Sequence, residues 1–263
     1  EIGPNRSLSG NNPYTNLGGS PWGTSNVMAK VSGITKPNYS VYRDNHASGH
    51  CAKMTTHIET CKVLGLINIK VLAAGSIFLG DMKEPITGTK DGPKALNFGI
   101  PFTHRPKALR YDYKVQVPGT PNRIRQTGFS KVTTVPGPDY CIAMLLLQKR
   151  HEDANGNITA QRVGTVVVKY GKSTGGWVED ATYEIHYGNI TGKSFYNAAT
   201  MGLRSHDYAR NSKGKSVLVK ETGWAPADAT PTHIVLQFSS SHGGAYVGTV
   251  GNTFWVDNVG LVY

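Results

Sequence analysis

Arg110, Asp112 and Lys114 stand on alternate positions of one short run, LRYDYKVQV, and Gln116 continues the row. The intervening residues Leu109, Tyr111, Tyr113, Val115 and Val117 are apolar or aromatic. A period of two with this content describes a strand that buries one face and presents a cation, an anion and a cation on the other. Arg105, Lys107, Arg123 and Arg125 flank it. Such a face either receives a polar ligand or is a solvated surface laced by cross-strand ion pairs.

Two chemistries need little more than a face of this kind. In sugar binding, aromatic rings stack on the apolar faces of the sugar while Asp, Asn, Arg and Lys hydrogen-bond its hydroxyls. On this reading Trp22, Arg110, Asp112, Lys114, Glu184, His186 and Trp224 line or rim a groove, and Trp177 belongs to the core. Trp22, in GSPWGTSN, also suits a core plug, because Trp is mostly buried. Glycoside hydrolysis instead needs a pair of carboxylates roughly 5 to 10 Å apart. Among the 17 acidic residues, those falling on strand patterns are Asp112, Glu179, Glu184 and Asp257, and the first three are the candidate catalytic groups. A third class, a structural or adhesive surface domain with a protein partner, uses neither chemistry.

Other chemistries find less support. His46, His50 and His57 are close in sequence, but His46 and His50 would share a face only on a helix, and Gly49 argues for a loop, so no metal site is expected. A structural Ca²⁺ needs only oxygen ligands and is compatible with a sandwich loop, yet no residue pattern places one, and no cofactor is expected. Cys51, Cys61 and Cys141 allow at most one disulfide and form no C-x-x-C pair. No nucleophile elbow, P-loop, dinucleotide glycine fingerprint, zinc-protease helix or EF-hand loop is read from the chain.

The elements that must position these residues are strands. Tyr140 to Leu147, YCIAMLLL, is apolar on both faces and reads as a central, fully covered strand. HEDANGN then turns, with Asn155-Gly156 at the tip, into Ile158 to Tyr170, which makes the pair a hairpin. Trp177 to Tyr187 alternates Trp177, Glu179, Ala181, Tyr183 and Ile185 against Val178, Asp180, Thr182, Glu184 and His186. Val63 to Leu79 is the longest apolar stretch, and Gly65 and Gly75 divide it into strands. Val27–Val31, Ser40–Tyr42 and Cys51–Thr56 are short strands, the last fed by a loop, DNHASGH. Ala198 to Leu203 suits a short helical turn, and RNSKGKS an exposed basic loop before the strand Val217–Lys220. His233 to Phe238 alternates cleanly. Phe254 to Tyr263 closes the chain, broken by Asp257-Asn258 as a bulge. Ten or more short strands without a long helix point to an all-β fold, an antiparallel β-sandwich or barrel.

The formal charge of +11 over 263 residues suggests an anionic partner. Its distribution argues otherwise: Lys and Arg are scattered, with no basic helix, zinc-finger spacing or RNA-binding signature, so nucleic acid is not an expected partner. No run approaches the ~18 apolar residues of a membrane span. The sequence opens at Glu1 without Met or a signal sequence, so a processed or truncated chain is expected, with any leader out of sight.

VLAAGSIFLGDM, GIPFTHRPKALRYDYKVQV and IVLQFSSSHGGAYVGTVGNTFWVDNVGLVY, with SPWGTSN and the D-x-H-x-x-G-x-x-x-A-K-M-x-T segment at 44–56, resemble the putative carbohydrate metabolism domain of bacterial polysaccharide-use systems. The blocks follow the family's order over most of the chain. The resemblance implies a jelly-roll sandwich over 1–263, similar to carbohydrate-binding modules and sandwich glycanases. It also implies export to the periplasm or outer-membrane surface, and a polysaccharide or oligosaccharide partner, anionic ones included. Family members often carry a preceding immunoglobulin-like domain, which is expected to be absent from this chain. The resemblance supplies no catalytic residues.

Overall fold

The structure is a computed structural model that describes residues 20–31, 34–63, 67–88, 92–128 and 130–263. Two sheets face each other across one core. The large sheet runs Trp22–Thr24, Ser76–Met82, His233–Ser239, Cys141–Glu152, Ile158–Tyr170, Ser216–Trp224, Asp207–Arg210. The small sheet runs Val178–Glu184, Ala108–Gln116, Thr253–Val262, Gly49–Val63, Val41–His46. The pairings within these two orders are antiparallel except that between Ile158–Tyr170 and Ser216–Trp224. This is the all-β sandwich expected from the sequence, and Ala198–Met201 is a single helical turn capped by the Asn197 side chain.

Why these strands and not others follows from burial. Cys141–Glu152 pairs on both sides, with His233–Ser239 and with Ile158–Tyr170, and its Leu145, Leu146 and Leu147 are at most 1% exposed, as a doubly covered strand requires. The core between the sheets joins Leu145, Leu147, Val163 and Phe238 of the large sheet to Met54, Leu109, Tyr111, Val115 and Phe254 of the small one. Three hydroxyls cross that core. The Tyr111 and Tyr170 hydroxyls lie 2.5 Å apart, and Tyr170 and Tyr183 2.8 Å, so polar tips that burial would penalise satisfy one another.

The stretch from Val63 to Leu79 divides, with Ile67–Ala74 and Ser76–Met82 meeting at Gly75. A Cβ at Gly75 would stand 2.3 Å from the Ser40 carbonyl oxygen, so only glycine lets the chain turn there. The side chain of Cys61 lies outside the described residues. Cys51 and Cys141 are free thiols.

An ionic brace closes the outer side of the large sheet. Arg162 is fully buried; its Nε donates to Glu221 Oε1 at 2.7 Å, its Nη2 donates to Glu221 Oε2, and its remaining protons reach Thr165 Oγ1 and the carbonyls of Met201 and Gly202. Glu221 also accepts from Gln148 Nε2 and from the Arg204 backbone, and Arg204 grips Asp207 through two nitrogens at 2.5 and 2.8 Å. The brace holds the segment before Asp207–Arg210 onto the sheet.

Candidate functional site

The polar row at 110–114 lies on the outer face of the small sheet, and its geometry is set by two β-bulges. Beside Ala108–Gln116, Tyr111 pairs with Ala181 and Tyr113 with Val178, so Asp112 stands opposite both Glu179 and Asp180. On the other side, Arg110 pairs with Gly260 and Asp112 with Asp257, so Asn258 and Val259 share the place opposite Tyr111. Each bulge contains a residue in the left-handed region, Asp180 at φ 52° and Asn258 at φ 49°, which short polar side chains tolerate best. Both bulges serve Asp112. The Asp180 N–H donates to Oδ1 and the Asn258 side-chain amide to Oδ2, each at 2.6 Å. Asp112 is buried at 4% exposure. Burial opposes its charge, but these two donors, together with Glu179 and the charge of His46, outweigh it and hold the carboxyl below the usual range.

A hairpin tip reaches onto this cluster. Val41–His46 turns through Ala47, at φ 47°, into Gly49–Val63, and His46 bridges two other strands. Its Nδ1 lies 2.8 Å from Asp257 Oδ2 and its Nε2 3.1 Å from Glu179 Oε1. The imidazole is buried and stacks on Trp177, ring centroids 3.7 Å apart. Desolvation pulls its pKa down, yet the hydrogen bonds and charges of Asp257 and Glu179 prevail and raise it. One oxygen each of Asp112 and Glu179 and one ring nitrogen of His46 lie within 4.8 Å of one another. Glu179 keeps 57% of its side chain in solvent.

Cations and indoles border the cluster. Trp255 Nε1 donates to Asp44 Oδ2 at 2.9 Å, a hydrogen bond that holds the Asp44 carboxyl low. Lys114 Nζ sits 4.2 Å from the Trp255 ring centroid and 5.5 Å from that of Trp177, and Lys53 covers Trp255 at 5.4 Å, within the range of cation–π attraction. Arg110 extends to Asp180 at 3.6 Å, largely in solvent. Beneath them Cys51 is a buried thiol whose pKa burial pushes up to about 11, so it is not a nucleophile here.

Of the residues singled out in the sequence, Arg110, Asp112, Lys114 and Glu179 come together. Glu184 pairs with Ala108, four residues and so about 13 Å along the strand from Asp112. His186 belongs to a short strand on the large sheet and stacks on Phe195. Trp224 lies over Arg162 at 5.5 Å. Trp22 packs against the core, its ring 6.3 Å from Phe238. Trp177, assigned to the core, is instead half-buried on the outer face against His46. The reason is the bulge at Asp180, which inverts the alternation read through Trp177 to His186 and sends Val178 inward and Glu179 outward.

His46, Trp177, Trp255, Asp44 and Asp257 were not singled out as site residues. DNHASGH is not a loop throughout: Asp44 to His46 finish a strand and Gly49 begins the next, with only Ala47 and Ser48 turning between them. The visible signal was the Asp257-Asn258 break in the closing strand, which is one of the two bulges. Gly171–Gly175, GKSTG, does carry the G-x-S-x-G spacing, but it turns between two strands and Ser173 Oγ accepts the Val117 N–H, so it lacks the strand-to-helix setting of a nucleophile elbow.

The same architecture occurs in a solved structure described as a putative glycoside hydrolase from Bacteroides thetaiotaomicron VPI-5482. The two share 18% identity and a TM-score of 0.52 over 92% of this chain, which spans 62% of that structure's length. No curated protein matches the sequence. Among the described residues no helix is long and apolar enough to cross a membrane. The model of one family, described as Putative carbohydrate metabolism domain, matches residues 8–262. Spanning nearly the whole sequence, that match makes the chain a member of the Putative carbohydrate metabolism domain family.

Proposed function

We propose that the outer face of the small sheet is a glycan-binding surface, in a protein exported to the periplasm or outer-membrane surface that handles a polysaccharide or oligosaccharide. The observation that carries this reading is Trp177. Its ring is held by the His46 stack at 3.7 Å, with the mostly exposed Glu179 beside it and Lys114 nearby. An aromatic platform flanked by an acceptor and donors is what sugar recognition needs, and one fixed before the ligand arrives loses little entropy on binding. Hydroxyls of a neutral glycan would donate to Glu179 and accept from Lys114 and Arg110. An anionic glycan would use the two cations.

A second reading, glycoside hydrolysis by Asp112 and Glu179, is favoured by their proximity. Against it, both Asp112 oxygens already accept hydrogen bonds and the residue is buried, whereas a glycosidase nucleophile must reach the anomeric carbon.

Titration against a glycan array that includes uronates, comparing wild type with Trp177→Ala and Glu179→Gln, tests the binding reading. Each substitution should weaken binding at least tenfold, consistent with a loss of about 1.4 kcal/mol or more. Absence of binding to every glycan overturns it. Reducing-sugar release by the wild type that disappears in Asp112→Asn would install the hydrolase in its place.

A further inference from the structure

We propose that His46 Nε2, Asp112 and Glu179 form a binding site for a first-row divalent transition cation, with Asp257 orienting the histidine. The site lies on the proposed glycan surface but does not depend on that reading.

Four features point to a cation. First, the imidazole is already arranged as a ligand. Its Nδ1 faces the Asp257 carboxylate at 2.8 Å, and Nε2, on the other side of the ring, faces Glu179 Oε1 at 3.1 Å, where a cation would replace the hydrogen bond between them. Metal-bound histidines have a carboxylate such as Asp257 behind them. Second, the spacing is close to that of coordination. Two ligands of a tetrahedral ion at about 2.0–2.1 Å stand about 3.3 Å apart; Nε2 lies 3.1 Å from Glu179 Oε1, and one ligand atom each of His46, Asp112 and Glu179 lie within 4.8 Å of one another.

Third, the cluster is rich in acceptors. Asp257 and Glu179 both reach the one imidazole and Asp112 lies beside them, so an ion seated there would meet carboxylate oxygens on more than one side. Fourth, the ligands retain capacity. Each Asp112 oxygen accepts one protein hydrogen bond and a carboxylate oxygen has two lone pairs. Glu179 opens to solvent, which leaves a coordination position for water or a sugar hydroxyl. One imidazole with two carboxylates suits Zn²⁺, Co²⁺ or Mn²⁺; Ca²⁺ takes six to eight oxygens and gains little from a nitrogen.

The test is isothermal titration of Zn²⁺ into the chelator-treated full chain, without glycan, paired with the visible spectrum on Co²⁺ addition. The expected result is one ion per chain and a Co²⁺ ligand-field band. Affinity should fall at least 100-fold in His46→Ala, at least tenfold in Glu179→Gln and 10- to 100-fold in Asp257→Asn. His57→Ala and His206→Ala should bind as wild type. No stoichiometric binding overturns the proposal, and so does Ca²⁺ binding as tight as Zn²⁺. If His46→Ala does not fold, Glu179→Gln decides, since its side chain is exposed: unchanged Zn²⁺ affinity there also overturns it. Zn²⁺ binding together with failure on every glycan would refute the glycan reading alone.

Discussion

The two sheets each carry a cluster of charged side chains on their outer side, and the clusters are built on opposite plans. Around Arg162 on the large sheet, Arg162 and Arg204 pair with the carboxylates Glu221 and Asp207, Arg150 donates to Gln148 Oε1 and the Phe98 carbonyl, and the carbonyls of Met201 and Gly202 take up remaining protons of Arg162. Donors and acceptors are matched, and Arg162 and Glu221 have no side-chain exposure. On the small sheet two carboxylates, Asp257 and Glu179, share one imidazole with a third, Asp112, beside them, and Glu179 is open to water. A saturated, dry cluster has nothing left to offer a ligand and acts as a brace. A cluster with acceptors in excess at the surface is a place where something can bind.

Breaking the brace should cost most. Arg162→Met leaves Glu221 buried without its main partner and should lower stability by about 3–5 kcal/mol in chemical denaturation, while Arg162→Met with Glu221→Leu should recover much of it. A loss below about 1 kcal/mol for the single change would show that the two clusters do not differ in kind. Next come two tryptophans that the sequence leaves alike. Trp22→Ala removes a ring packed on Phe238 and should cost about 2–4 kcal/mol with no direct effect on ligand binding. Trp177→Ala should cost less than about 1.5 kcal/mol and act chiefly on binding. Equal stability losses would erase the distinction between core plug and platform.

A smaller effect should appear with pH. His233 pairs with Gln148 and bonds the Thr232 hydroxyl at the edge of the brace. Burial first, and then the charge of Arg150, push its pKa down to about 4. The unfolded chain takes up this proton near pH 6.5 and the folded chain only near 4, so the contribution is present above about pH 6.5 and is lost as pH falls toward 4. Melting temperature followed over that interval should fall, and His233→Gln should flatten the slope; an unchanged slope would remove His233 from the account.

How much of this was legible follows from the distance over which each feature is encoded. Leu109 to Val117 was readable because a strand writes its two faces in its own alternation, and Tyr140 to Leu147 because a doubly covered strand needs only to be apolar. The Asp257-Asn258 bulge was readable as a break in a pattern. Its counterpart at Asp180 was not, because Trp177 to His186 alternates in either register and one extra residue exchanges the faces. His46 was the hardest. Its neighbours in sequence, His50 and His57, are not the groups it meets; Glu179 and Asp257 are 133 and 211 residues away, and no local spacing records such contacts.

The three tyrosines in the core bear on how the site keeps its shape. Apolar contact between two sheets resists separation, but it is poorly directional, since sliding by one residue exchanges one greasy neighbour for another. The Tyr111–Tyr170–Tyr183 hydroxyls add a resistance of another kind. A slide of one residue, about 3.3 Å, would strand the buried hydroxyls of Tyr111 and Tyr170, each at about 1–3 kcal/mol, and unpair that of the half-buried Tyr183. They act as a dowel against shear between the layers. Because Tyr111 and Tyr183 lie on the two strands that carry Asp112 and Glu179, the same dowel fixes the carboxylate pair in position relative to the whole large sheet.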